Sequence, residues 1–199
     1  MSERYDTEKD YARIAWVLAA LMVGGLGGYI IALQTITPAP SATSSQAAAP
    51  PAAPIVDESA LRAYRDILAR DPKNVDAAVA AGNLLYDAQR YGEAIPFYQA
   101  AFAARPTDVN VSTDLGTALW YSGRADEALA QYERSLAIDP AHAHTLFNVG
   151  VVRADGKQDY LGAAAAWEKL LAANPTYPKA ADVHRLIGDA RRKVASATR

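Results

Sequence analysis

Three histidines, His142, His144 and His184, offer the most obvious acid–base or metal-binding capacity in this 199-residue chain. His142 and His144 are two residues apart at a helix start, so they face different directions and do not form the i,i+4 pair of a metalloprotease helix. His184 stands beside Arg185. All three read as ordinary polar residues. Cysteine is absent, which excludes disulfides, thiolate-ligated zinc, iron–sulfur clusters, thiol nucleophiles and dithiol redox chemistry. Neighbouring carboxylates such as Asp126 and Glu127 fall at a helix start, where they complement the helix dipole. The glycines between Gly24 and Gly28 lie inside an apolar run, where they serve helix packing and not phosphate binding. No nucleophile–base pair stands out. The expectation is no catalytic residue, no metal, no cofactor and no enzymatic activity.

The charges nearly balance, with 20 Lys+Arg against 22 Asp+Glu and a formal net charge of −2. That leaves no basic field and argues against a nucleic-acid partner. Hydrophobic residues make up 51%, yet the chain has only 3 Phe and 2 Met. An Ala-rich composition of this kind favours helices that pack closely through small side chains.

The run Ile14–Leu33 carries no charge. Its twenty residues at about 1.5 Å each would span roughly 30 Å, the thickness of a bilayer hydrocarbon core. Trp16 and Tyr29 lie near its ends, where aromatic rings suit the interface. Arg4, Lys9 and Arg13 precede it, and the next basic residue is Arg62. The positive-inside rule puts 1–13 in the cytoplasm, the transmembrane helix over 14–33, and the rest outside a bacterial inner membrane, in the periplasm. A cleaved signal peptide would give the same topology, but the run exceeds a normal signal core and no clean small-residue cleavage site follows it. Ala20, Gly24, Gly28 and Ala32 repeat every four residues and line one face. Two readings stand: a packing face for a second copy or another membrane helix, or simple tolerance of small residues. Residues 34–56 hold five Pro, seven Ala and no charge, a disordered linker that cannot form a core.

The remainder repeats. Gly82, Gly116 and Gly150 are 34 residues apart, and Ala60, Ala94, Ala128 and Ala163 step by 34, 34 and 35. Tyr64, Tyr98, Tyr132 and Trp167 keep the same steps, as do Pro72, Pro106, Pro140 and Pro175. The Gly column lets a second helix cross closely, the aromatic column fills space between hairpins, and each Pro ends one unit and opens the next. The period predicts an all-α solenoid over 57–195: a lone second helix at Asp57–Arg70, three helical hairpins, and a charged capping helix at Pro178–Val194, with 196–199 as a tail. One extra residue in the third unit is expected around Gln158–Gly162.

These columns resemble the tetratricopeptide repeat (TPR) family from about Asp57 to Pro175. The resemblance implies a helical-hairpin solenoid that binds a protein or peptide client in a concave groove lined by first helices. Its groove positions are Asp76, Val79, Asn83, Tyr86 and Asp87, then Asn110, Thr113, Asp114, Thr117, Trp120 and Tyr121. The third unit adds His144, Phe147, Asn148, Val151 and Asp155. Amides and phenols there can hydrogen-bond an extended peptide while rings add apolar contact. Trp120, Tyr121 and Phe147 stand open between ligand contact and inter-repeat core. A clamp for a C-terminal carboxylate is not expected, because the matching places hold Val79, Asp114, His144 and Asn148, with only Asn83 fitting.

A membrane-anchored TPR protein of this layout is similar to cytochrome c maturation factors of the NrfG/CcmI type, on the Trp167–Leu171 stretch, Pro175 and a terminal helix. That likeness implies an adaptor or assembly factor chaperoning apocytochrome c. Two other readings share the layout: an ancillary translocon-associated chaperone for exported proteins, and a homo-oligomeric scaffold paired through the span.

Overall fold

The computed structural model describes residues 55–197. The anchor expectation, with Ala20, Gly24, Gly28 and Ala32, and the linker expectation up to residue 54 lie outside them; the linker's last residue, Val56, packs against the apolar core, which corrects its place in a linker without a core. Among the described residues, no helix is long and apolar enough to cross a membrane. Eight α-helices and no strand are present there: α1 (Glu58–Arg70), α2 (Val75–Asp87), α3 (Tyr91–Ala104), α4 (Val109–Tyr121), α5 (Ala125–Ile138), α6 (Ala143–Val151), α7 (Tyr160–Ala173) and α8 (Ala180–Ala197). A π-helical turn, Val152–Gly156, extends α6.

Local chemistry sets the boundaries. Asp57, Asn74 and Asp108 sit in extended backbone and accept hydrogen bonds from the first free amides of α1, α2 and α4. Pro72, Pro106, Pro140 and Pro175 fall in the turns after α1, α3, α5 and α7, where a missing N–H does no harm. Each hairpin turn contains one residue in the left-handed region: Gln89 at φ 60°, Gly123 at φ 80° and Gln158 at φ 54°. Only the second of these is glycine, so the other two turns hold a strained side chain.

Within each hairpin, the second-helix aromatic packs directly against the first-helix glycine. A methyl group built on Gly82 would come 2.7 Å from Tyr98 Cε1, one on Gly116 would come 2.5 Å from Tyr132 Cε1, and one on Gly150 would collide with the Trp167 indole. The aromatic column therefore fills space inside its own hairpin, and not only between hairpins as the repeat spacing suggested. Tyr98, Tyr132 and Trp167 are buried, and the Trp167 N–H donates to the Phe147 carbonyl at 3.1 Å. First helices pack on their own second helices and on the second helix of the unit before: α2 on α3 and α1, α4 on α5 and α3. One apolar cluster runs through Leu61, Leu85, Tyr98, Leu119, Tyr132 and Val152, continuous across the units.

Two expectations are corrected. From hairpin glycine to left-handed turn residue the count is seven in the first two units, Gly82 to Gln89 and Gly116 to Gly123, and eight from Gly150 to Gln158. The extra residue thus lies before the turn, absorbed by the π-helical turn at Val152–Gly156, and not around Gln158–Gly162. The Lys157 N–H then reaches back to the Val152 carbonyl, and Asp159 N–H to the Arg153 carbonyl at 2.8 Å. The last helix begins at Ala180, two residues after Pro178, and runs to Ala197 beyond the expected end at Val194.

Candidate functional site

The inner-face residues divide into two groups with different burial. The exposed or half-buried group holds Asn110, which is exposed, and Asn83, Tyr86, Trp120, Tyr121, His144 and Phe147, which are half-buried. Thr113, Thr117 and Asn148 are buried. Their hydroxyl and amide groups are engaged between repeats: Thr113 Oγ1 lies 2.7 Å from Thr145 Oγ1, and Asn148 Nδ2 donates to Thr117 Oγ1 at 3.2 Å. Thr117 Oγ1 also lies 3.1 Å from Tyr132 Oη. These three hold α4 to α6 in the repeat stack, and that is the correction to their place on an open groove. Asn148 meets the requirement that a buried amide find a partner.

Trp120 belongs to the seam between the second and third units. A methyl group on Gly156 would come within 2.6 Å of its ring, so the glycine of the π-helical turn makes room for the indole. Asn83 accepts a hydrogen bond from Tyr98 Oη at 2.7 Å, which fixes the amide's orientation at the groove surface.

The most concentrated surface feature is a tyrosine cluster at the turn end of α2 and α4. Tyr91 stacks on Tyr121 at 4.9 Å with 25° between planes. Tyr86 meets both edge-on, at 5.1 Å and 5.9 Å. Burial first, and then the neighbouring phenols, push the Tyr86 hydroxyl far above its usual range; burial raises Tyr91 and Tyr121 as well. All three are neutral at ordinary pH and present hydroxyls and ring faces. Tyr91 was not among the residues singled out from the groove pattern, because it opens a second helix. Its readable signal is the column it shares with Tyr160, three residues before Ala94 and Ala163.

Two polar assemblies lie beneath the surface. His142 occupies the N-cap column of Asn74 and Asp108 but caps no amide; its Nδ1 lies 2.8 Å from Thr145 Oγ1. In the second hairpin, Ser112 Oγ accepts from Gln131 Nε2 and from Ser135 Oγ, each at 2.8 Å, with all three residues buried. No buried side-chain polar atom among the described residues lacks a hydrogen bond.

Burial and the nearby His142 hold the His144 imidazole down to about 4. A base whose folded pKa lies below its unfolded value near 6.5 adds no penalty above that pH; stability falls as pH drops from about 6.5 to about 4. Allowing for partial exposure of the ring, the loss is about 1–3 kcal/mol. Urea titrations at pH 7 and pH 4 should show a smaller acid-induced drop for His144→Gln than for the unsubstituted protein. Equal drops would remove His144 as the cause.

No group of His, Asp or Glu among the described residues is arranged to hold a metal ion. The geometry offers hydrogen bonding, aromatic contact and carboxylate charge on a rigid helical frame, which is binding chemistry.

Residues 74–141 match the family model described as Tetratricopeptide repeat. No curated protein sequence matches the chain. Among solved structures, MamA is similar at TM-score 0.56 and 20% identity, over 68% of this chain and 89% of that one. A tetratricopeptide repeat protein from Parabacteroides merdae gives TM-score 0.60 at 19% identity, over 68% of this chain and 54% of its own. The Sgt2 TPR domain from Aspergillus fumigatus gives 0.57 at 26% identity, covering 62% and 81%. The described residues thus have the helical-hairpin fold of TPR proteins, and residues 74–141 match that family's model.

Proposed function

From this TPR scaffold, we propose that the chain is an adaptor anchored in a bacterial inner membrane, holding a protein client on the inner faces of α2, α4 and α6 in the periplasm. The observation that carries the reading is the shared inner face: exposed Asn110, the oriented amide of Asn83, and the phenols of Tyr86 and Tyr121 on one helical stack. Amides there satisfy a client backbone, while rigid rings bury apolar area at low entropic cost. Anchoring rests on the uncharged run Ile14–Leu33 and on basic residues confined to its N-terminal side. An alkaline-phosphatase fusion after Arg199 should be active; an inactive one would place the repeats in the cytoplasm.

The favoured client is an apocytochrome c during cytochrome c maturation. Its support is the likeness of Trp167–Leu171, Pro175 and the terminal helix to the NrfG/CcmI type. With no cysteine in the chain, the contribution would be holding the apoprotein and not thiol reduction. The test is affinity purification of the full-length protein from native membranes, with partners identified by mass spectrometry. Apocytochrome or its assembly enzymes should co-purify and be lost from Asn83→Ala/Asn110→Ala. Equal recovery from both proteins would sink the groove reading. The face of Ala20, Gly24, Gly28 and Ala32 favours a second reading, a chaperone docked by its span to the translocon; a broad set of exported proteins would select it. A homo-oligomeric scaffold would yield only the chain itself.

A further inference from the structure

Two features meet on the turn edge of the stack. One is the tyrosine shelf, in which Tyr91 stacks on Tyr121 at 4.9 Å and Tyr86 meets both edge-on. All three residues are half-buried, so the shelf keeps surface open to solvent. The other is the point where the chain enters α1. Glu58, in the first turn of α1, pairs with Arg90 at 2.6 Å, and Arg90 immediately precedes Tyr91. The start of α1, the α2–α3 turn and the tyrosines therefore follow one another along one edge. Val56 packs on the same apolar cluster as Tyr86, while Ile55 before it is 96% exposed. In the second unit the columns of Tyr86 and Tyr91 hold Trp120 and Ala125. The phenols are thus concentrated at the hairpin next to the chain entry.

The residues ahead of Ile55 have the composition that such rings receive. Residues 49–54 read Ala-Pro-Pro-Ala-Ala-Pro and carry no charge. Proline has no N–H to leave unpaired, and its fixed φ lowers the entropy lost when a segment is held extended. Aromatic surfaces take proline-rich segments by packing rings on pyrrolidines, and phenol O–H groups can donate to the carbonyls between them. Neutral phenols suit an uncharged segment. The length also suffices. At about 3.1 Å per residue, the stretch from Pro50 to Pro54 reaches about 15 Å, against about 10 Å between the axes of neighbouring packed helices.

We propose that residues 50–54 of this chain, led by Pro50 and Pro51, dock on the shelf of Tyr86, Tyr91 and Tyr121. The contact depends only on the shelf and the segment. Its consequence rests on the groove-adaptor reading: a client must displace the chain's own prolines to reach Tyr86 and Tyr121. The segment is then a competitor held beside the groove, and a weak client does not pass it.

Because the chain has no cysteine, disulfide trapping in the purified full chain reads the contact without background. Ala52→Cys keeps Pro50, Pro51 and Pro54, and Gly92→Cys stands beside Tyr91, where an added methyl meets nothing within 4 Å. Under mild oxidation this pair should close about ten-fold faster than Ala52→Cys with Asp66→Cys. Asp66 is the comparison because it is exposed on α1, about 12 Å along the helix from Glu58. Pro50→Ser/Pro51→Ser, and separately Tyr91→Leu, should each remove most of that advantage, with circular dichroism melts verifying that each variant is folded. Equal closure at Gly92 and Asp66, or an advantage that survives both variants, overturns the docking. Disulfides that form between molecules and grow with concentration assign the shelf to a second copy and overturn it as well. In purification from native membranes, Pro50→Ser/Pro51→Ser should raise client recovery about three-fold. Unchanged recovery alongside efficient trapping overturns the competition. No client from either protein would sink the adaptor reading, while the trapping result, which needs no client, stands on its own.

Discussion

Replacing Gly116 with alanine should lower the unfolding free energy by about 2 kcal/mol or more, although alanine is the better helix former by about 1 kcal/mol. The new methyl group would stand 2.5 Å from Tyr132 Cε1, far inside van der Waals contact. Tyr132 cannot swing aside. Its ring is fully buried, and its hydroxyl lies 3.1 Å from Thr117 Oγ1 in the packed centre of the stack. The helices of the second hairpin must therefore separate, and the strain passes to α6 through Thr117 and Asn148. Gly92→Ala is the matched control: nothing lies within 4 Å of its added methyl, so that variant should gain a few tenths to about 1 kcal/mol. Urea denaturation of both variants decides the matter. If Gly116→Ala were as stable as Gly92→Ala, close hairpin crossing would not be the reason for the glycine column. Adding Tyr132→Leu to Gly116→Ala should cost less than the sum of the two single changes, because it removes the obstructing ring.

The second large effect is expected from Ser112→Val. A more apolar residue in a buried place would ordinarily stabilise, but here the loss should be about 2–4 kcal/mol. Ser112 Oγ accepts hydrogen bonds from Gln131 Nε2 and Ser135 Oγ, and all three residues are buried. Removing the acceptor leaves the Gln131 amide without that partner in a low-dielectric interior, and the added methyl groups must still be fitted. Replacing the set together, as Ser112→Ala with Gln131→Leu and Ser135→Ala, should recover most of the loss, since no buried donor is then orphaned. A single-variant loss under 1 kcal/mol, or a triple variant no better than Ser112→Val, would show that the network does not act as a unit.

The hairpin framework was legible because it depends on geometry that permits few residue types. A glycine facing an aromatic ring, a small residue in the second helix and a proline after it recur for steric reasons, so Gly82, Gly116 and Gly150 marked their hairpins without ambiguity. The π-helical turn was legible only as a count: one added residue was evident, but its place depends on whether α6 or the turn absorbs it. The Ser112 network left a subtler trace. Ser112 occupies the column of Ala78 and Leu146, and Ser135 that of Ala101 and Leu170. Two serines at core positions of one hairpin announce a bond between them when the columns are compared across units.

The inner face was harder to read. Helical spacing places Thr113 and Thr117 on it, yet it cannot say how closely α6 approaches α4, and that approach buries both hydroxyls. Asn110, one residue into α4, escapes the contact and stays exposed. Tyr91 went unnoticed because it joins the cluster from across a turn, through a ring contact with Tyr121 that periodicity within one helix does not encode.

A photo-crosslinking residue placed at Asn110 tests the inner-face adaptor most directly, with Glu133, exposed on α5, as the comparison. In living cells, Asn110 should give a discrete adduct with a client protein, and Glu133 should give little or none. Equal adducts from both positions, or none from Asn110, would contradict a client held on the inner face of the repeats.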